Sequence, residues 1–305
     1  MTGRSVRPPL RRAAARPSAT TTGVRHGLAR VISKFGIASR SEAARWITAG
    51  RVAVDGRIVR DPERATDAAR ERIAIDGIAV GAAERICIAL NKPRGLVTTA
   101  ADERGRATVY SLLADAGLPW LAPVGRLDKA SEGLLLLSND SAWAAAIASP
   151  DAKLDKTYHV QVDRLPDDAL LAAMRGGIDD RGERLAVKAV RELRRGDRNA
   201  WLEIVLDEGR NRQIRRVLAA LGVGVLRLVR VAIGPLALGD LAKGAWRRLD
   251  ASEVASLDRR RPPRDDGAPL QEPCGAGRVA CTARPAPHIA PRFTSPVRDR
   301  NRSRT

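Results

Sequence analysis

The chain has 305 residues, 44% of them hydrophobic, enough to bury the core of one or two domains. Its formal charge of +19, from 54 Lys and Arg against 35 Asp and Glu, points to a polyanionic partner, nucleic acid above all. Three cysteines, at 87, 274 and 281, give neither a disulfide framework nor a zinc spacing, and no apolar run approaches the roughly 18 residues that cross a bilayer, so a cytoplasmic protein with no membrane partner is expected.

The charge is uneven along the chain. Residues 1–30 carry seven Arg and no acid, and residues 259–305 carry eleven Arg and four acids, so each end holds +7 and the body keeps only +5. Disordered basic tails are expected over 1–27 and 259–305; the first also has the Arg-rich, acid-free composition of a transit peptide. Next comes LARVISKFGIASRSEAARWITAGRVAVDGRIVRD. Leu28, Val31, Ile32 and Phe35 recur at helical spacing until Gly36. Ser39 and Glu42 form an S-x-x-E signal that opens a second helix, with Ala43, Trp46 and Ile47 inward and Gly50 at its end. Asp55-Gly56 between short β-branched runs predicts a tight hairpin. This unit presents Arg30, Lys34, Arg40, Arg45 and Arg51 within a short span. Residues 28–80 resemble an S4 domain, the small RNA-binding module of ribosomal protein S4, and the resemblance implies that these five residues face RNA.

A second Asp-Gly turn at 76–77 and the stretch GAAER at 81–85 mark a boundary. Strand-like runs at 86–90, 134–138, 157–162, 200–206 and 225–232 then alternate irregularly with helix-like ones at 140–148, 167–175 and 211–221. That pattern predicts an α+β domain on a mixed or antiparallel sheet over residues 86–250. The run Leu134–Leu137 has no polar break and reads as a strand covered on both faces. Trp46, Trp120, Trp143, Trp201 and Trp246 read as packing residues.

Four separated stretches carry the chemistry: NKPRGLVTT at 91–99, GRLDKASEGLLLLSND at 125–140, KTYHVQV at 156–162 and EGRNRQIRRVLAALG at 208–222. In this order, behind an S4-like module, they resemble the RsuA-type pseudouridine synthases, enzymes that isomerise uridines in ribosomal RNA. The resemblance implies that Asp128 is the catalytic carboxylate, that Arg126 displaces and holds the target nucleotide, that Tyr158 stacks on uracil and assists proton removal from C5, and that Arg215 pairs with Asp128. It further implies a ribosomal RNA partner met by Lys92, Arg94, Arg210, Arg212 and Arg216, and a monomeric enzyme.

Uridine isomerisation needs one carboxylate that acts as nucleophile or base, and needs no metal or other cofactor. The sequence holds no P-loop, dinucleotide fingerprint, metal-ligand cluster or Ser/His/Asp pattern. Strand alternation puts Lys156, Tyr158 and Val160 on one face and His159 on the other, which makes His159 structural. In 208–222, Ile214, Leu218 and Leu221 form an inward seam with Arg215 at its edge and Arg212 and Arg216 further out. Two alternatives stay open on the sequence: a non-catalytic S4-containing RNA-binding or ribosome-assembly protein, and a polyanion binder driven by the tails.

Overall fold

The structure, a computed structural model, describes residues 25–100, 102, 104–149 and 152–258. The C-terminal tail expected over 259–305 and residues 1–24 of the N-terminal one lie outside the described residues. His26 and Gly27, assigned from sequence to the tail, instead form a strand, because they find backbone partners in Thr66 and Ala65. Two compact units divide between Ala83 and Glu84, inside the GAAER stretch.

The first unit contains β1 (His26–Gly27), α1 (Leu28–Lys34), α2 (Arg40–Thr48), β2 (Val52–Val54), β3 (Arg57–Val59), β4 (Ala65–Thr66), β5 (Ile73–Ile75) and β6 (Ile78–Val80). Its sheet has the order β3-β2-β5-β6, antiparallel throughout, with β1 and β4 paired separately. Both helices end in the same way. Gly36 and Gly50 take positive φ, and the Gly36→Ser33, Ile37→Ile32, Gly50→Ile47 and Arg51→Trp46 bonds close two Schellman turns. Ser39 Oγ caps α2 by accepting from Glu42 N at 3.1 Å, the forward half of the expected capping box. Leu28, Ile32, Ala43, Ile47, Val52 and Ile75 are fully buried and form its core.

The second unit contains β7 (Cys87–Lys92), β8 (Ala122–Val124), β9 (Glu132–Ser138), α3 (Ser141–Ala148), β10 (Lys156–Val162), α4 (Asp168–Gly176), β11 (Ile178–Asp180), β12 (Glu183–Leu185), β13 (Ala189–Arg195), β14 (Ala200–Leu206), α5 (Gln213–Ala220), β15 (Val225–Ile233), β16 (Leu236–Ala237), β17 (Trp246–Arg248) and α6 (Ala251–Leu257). The main sheet runs β13-β14-β10-β15-β9-β7-β17, with β8 on β9 and β16 on β15. The β15–β9 pair is parallel and the other pairs are antiparallel, so the sheet is mixed. Helix α6 lies beyond the expected 86–250 span. Its Leu257 joins Trp143 and Leu236 in one cluster, and Trp143 Nε1 donates to Val254 O at 3.2 Å.

Strand β9 is the centre of this unit. Leu134 and Leu136 enter the cluster with Trp143, whereas Leu135 and Leu137 enter the one with Ile88 and Leu90 on the other face. All four are fully buried, and at about 1.5–3 kcal/mol for each such side chain they anchor the loop that precedes them. Gly133 is required where β9 meets β15: its φ is 101°, and a Cβ there would overlap the carbonyl oxygen of Arg230.

Candidate active site and RNA-binding surfaces

The loop between β8 and β9 carries Asp128 and is held from behind by the 91–99 stretch. Lys92 is fully buried, and its Nζ donates to Ser131 O at 2.8 Å, Pro93 O at 3.1 Å and Asp128 O at 3.2 Å. Thr98 Oγ1 donates to Leu127 O at 2.8 Å, and Gly95 N to Lys129 O at 2.8 Å. Ser131 N closes a turn onto Asp128 O at 3.0 Å. The backbone on both sides of Asp128 is therefore fixed while its side chain stays 40% exposed. Burial pulls the Lys92 pKa down to about 8, against the opposing pull of Asp128 and Glu132. This corrects the expectation for Lys92: an ammonium enclosed by three carbonyls is a scaffold and cannot meet phosphate.

Facing this loop are β10, β15 and α5. Asp128, Arg126, Tyr158, Arg210, Arg212 and Arg215 line a single cleft of about 610 Å³. Residues up to 89 positions apart in sequence are thus brought together. Lys156 and Tyr158 share the cleft face of β10. His159 lies on the opposite face, where its Nε2 is 3.5 Å from Glu203 and it borders a groove with Trp201 and Arg194. The Arg194 guanidinium covers the half-buried Trp201 ring at 4.9 Å, while Trp120 stacks on Tyr110 at 4.7 Å, both packing roles.

The arginines divide differently from the sequence expectation. Arg212 Nη1 lies 3.5 Å from Asp128 Oδ2 and makes the ion pair assigned to Arg215. The reason is local backbone geometry. Arg212 caps α5 with φ 50° and ψ 30°, a left-handed conformation uncommon outside glycine, which carries its side chain to the Asp128 loop. Arg215 is half-buried, and its Nη2 donates to Ala130 O at 3.2 Å, two residues beyond Asp128. Burial lowers the Arg215 pKa, Arg212 and Arg94 add to that, and Asp128 opposes it. Arg216 is no phosphate ligand: its side chain is 19% exposed and its guanidinium is held by Asp180 and by Glu183 at 2.5 Å. Arg210 pairs with Glu208 at 2.9 Å but remains on the exposed rim, and Arg94 and Arg126 are exposed.

In the first unit Arg30, Arg40 and Arg45 are exposed. Arg51 is committed to a bidentate pair with Asp76 at 2.5 Å, and Lys34 Nζ sits 2.9 Å from His26 Nε2. The free cationic face of that unit is accordingly smaller than its composition indicates.

Two residues of the cleft escape sequence reasoning. Gln213 is buried; its Nε2 donates to Glu208 Oε1 at 2.8 Å and Ala186 O at 2.9 Å, and its Oε1 accepts from Arg210 N at 3.2 Å, which fixes the turn before α5. Arg230 is a buried cation on β15. Its signal was a charge in the middle of the apolar run VLRLVRVAI, where a buried strand has no ordinary use for one. Among the described residues no group of three or more His, Cys, Asp or Glu side chains is placed to hold a metal ion, and no helix is long and apolar enough to cross a membrane. An accessible carboxylate on a rigid backbone, beside a tyrosine and a guanidinium, suits nucleophilic or general-base chemistry on a nucleotide entering the cleft.

Comparison with known proteins gives the family. Residues 86–220 match the RNA pseudouridylate synthase family and residues 27–65 match the S4 domain. An RNA pseudouridine synthase of Aquifex aeolicus, named as uncharacterized, is 38% identical over 228 residues, covering 74% of this chain and 91% of the relative. Ribosomal large subunit pseudouridine synthase B of Escherichia coli K12 is 37% identical over 237 residues, covering 75% and 81%. A crystal structure of a pseudouridylate synthase aligns with a TM-score of 0.53 at 31% identity, covering 77% of this chain and all of that one. With its S4 domain followed by a mixed-sheet synthase domain, the chain belongs to the RsuA-type RNA pseudouridine synthases.

Proposed function

We propose that this protein isomerises a uridine of large-subunit ribosomal RNA to pseudouridine, with Asp128 as the catalytic carboxylate. The observation that carries the proposal is the convergence of Asp128, Tyr158, Arg212 and Arg215 on one cleft, with the Asp128 backbone fixed by Lys92 and Thr98 and its carboxylate left accessible. The relatives named for large-subunit RNA supply the substrate class. A uridine flipped from its stack enters the cleft. Arg126 holds the displaced nucleotide, Tyr158 stacks on the uracil and assists removal of the C5 proton, and Asp128 acts as nucleophile or base while the N1–C1′ bond breaks and the C5–C1′ bond forms. Arg212 neutralises Asp128 in the free enzyme, and Arg215 braces the loop through Ala130. Arg94 and Arg210 meet phosphate at the rim. The S4 unit, residues 28–80, supplies affinity through Arg30, Arg40 and Arg45. Ribosomal RNA as substrate supports a cytoplasmic enzyme.

Two measurements test this proposal together. Pseudouridine mapping of ribosomal RNA from cells with and without the gene should show one modification lost from the large-subunit RNA. Asp128→Asn should abolish tritium release from C5-labelled uridine while filter binding of RNA stays near wild type, because the amide keeps shape but cannot act as nucleophile or base. Turnover by D128N at an appreciable fraction of the wild-type rate removes Asp128 from the catalytic role.

A further inference from the structure

Arg230 occupies the middle of β15 and is 6% exposed. Its Nε donates to Leu134 O at 2.8 Å, and its Nη2 is buried with no hydrogen-bond partner among the described residues. The neighbouring charge is of the same sign: Arg230 depresses the pKa of Lys156, after burial itself. A buried guanidinium with an unfilled donor and a cationic neighbour destabilises the fold, since charges taken from water are tolerated when paired. A tie between β15 and β9 through Leu134 O would need no charge. The residue is therefore placed for something that enters the cleft, whose lining includes Arg230.

Its position in the sheet indicates what that is. Arg230 is the direct cross-strand partner of Tyr158, so the two side chains stand side by side on one face. A bulge makes this so: Thr157 pairs with Ala232 and Tyr158 with Arg230, which leaves Val231 unpaired. Arg126, Arg210 and Arg212 are exposed at the mouth of the cleft. The buried Arg230 lies deeper, at the level of the residue on which the base stacks.

We propose that Arg230 is a catalytic residue that donates to a carbonyl oxygen of the target uracil and stabilises the negative charge arriving there as the N1–C1′ bond breaks. The inference rests on the isomerisation proposed above. When that bond breaks, its electron pair leaves with the uracil and spreads over N1, O2 and O4. Whatever compensation C1′ receives from Asp128 is returned when C5 bonds to C1′; C5 loses a proton, N1 gains one, and the composition of the RNA is unchanged. The half-turn that presents C5 in place of N1 runs about the N3–C6 axis and exchanges O2 with O4. A donor fixed on the cleft floor therefore meets one carbonyl oxygen before the turn and the other after it, and one arginine serves both halves of the reaction.

The test is single-turnover kinetics with excess enzyme on a ribosomal RNA fragment containing the mapped target, for wild type, R230M and R230K. Removing one preorganised donor from a developing oxyanion costs about 100-fold in rate, and R230M is expected to show that loss with RNA affinity within about two-fold of wild type. R230K, which keeps the charge but not the fork, should fall between them. Each variant is also run on RNA carrying 5-fluorouridine, whose electron-withdrawing fluorine stabilises the departing uracil anion, with glycosidic cleavage as the readout. There the ratio of wild-type to variant rate should shrink by roughly ten-fold, because less charge is left for the enzyme to stabilise. Both substrates are assayed on one preparation, so partial unfolding cancels from the comparison, and R230K carries the same test where R230M does not fold. Equal ratios on the two substrates, as expected of a structural tie, overturn the inference. So does a variant with full saturated rate, weaker binding and a salt slope reduced by about one, the signature of a phosphate contact. Wild type that forms no pseudouridine in ribosomal RNA overturns the proposed function instead, a separate result from wild type and R230M being equally active.

Discussion

Replacing Lys92 by Met separates a scaffold from a nucleic-acid contact. The fully buried ammonium donates to three backbone carbonyls, and hydrogen bonds to charged groups contribute about 1.5–3 kcal/mol each. Against this, burial lowers its pKa from 10.5 to about 8, a desolvation cost on the order of 3 kcal/mol. Methionine removes that cost and keeps most of the volume but leaves the three carbonyls unpaired, so K92M should lose about 2–5 kcal/mol of stability, or on the order of 5–15 °C in Tm. Turnover should fall with it, because the loop carrying Asp128 loses its inner support, while RNA affinity and the salt dependence of binding stay as in wild type. The pH dependence supplies an internal check. The unfolded chain keeps the Lys92 proton up to about pH 10.5 and the folded one releases it near 8, so the unfolded state binds more protons in between and wild-type stability rises across that window. K92M should lack this rise. The assays are urea denaturation at pH 7 and pH 10 and filter binding at several salt concentrations. Unchanged stability together with a salt slope lower by about one would refute the scaffold role and return Lys92 to the RNA contacts.

Two further expectations follow from the same division of charges. Neutralising the exposed Arg40 and Arg45 should lower the slope of log K against log salt by about one each and leave the rate at saturating RNA nearly intact, whereas neutralising Arg51 should chiefly loosen its own unit by removing the pair with Asp76. Glu132 is 3% exposed, and hydrogen bonds from Arg227 and Lys243 hold its carboxyl at about 2; this contributes on the order of 2–3 kcal/mol that is fully present above about pH 4.5 and lost as pH falls towards 2, so E132Q should flatten the acid limb of a stability profile measured by chemical denaturation.

The sequence exposed most of the architecture because its local signals are strong. The two Schellman glycines, the Asp-Gly hairpin and the four-leucine strand each fix a conformation within a few residues. What it concealed lies where a strand or helix is held by distant partners. Strand β8 is three residues containing a proline and shows no period, and it exists because β9 pairs with it. Helix α6 follows a full Asp250–Glu253 capping box, but the packing of Leu257 beside Trp143 depends on contacts more than a hundred residues away.

The same limit explains the arginines. Composition counts Lys92, Arg51 and Arg216 as cations available to RNA, yet each is consumed inside the protein, by carbonyls, by Asp76, and by Asp180 with Glu183. Helical spacing places Arg215 at the edge of the buried seam of α5 and says nothing of the residue just before the helix. The left-handed turn at Arg212 decides which guanidinium meets Asp128, and a sequence shows such a turn through glycine or asparagine, neither of which stands there. A non-glycine residue held at φ 50° stores strain of about 1–3 kcal/mol, which the buried Gln213 beside it offsets with hydrogen bonds to Glu208 and Ala186. Arg212 is thus held beside Asp128, the carboxylate to which the proposed function assigns the chemistry. On the proposed function, a uridine entering the cleft would compete with Arg212 for Asp128, and the exposed Arg212 side chain would then turn towards the phosphates that arrive with the base.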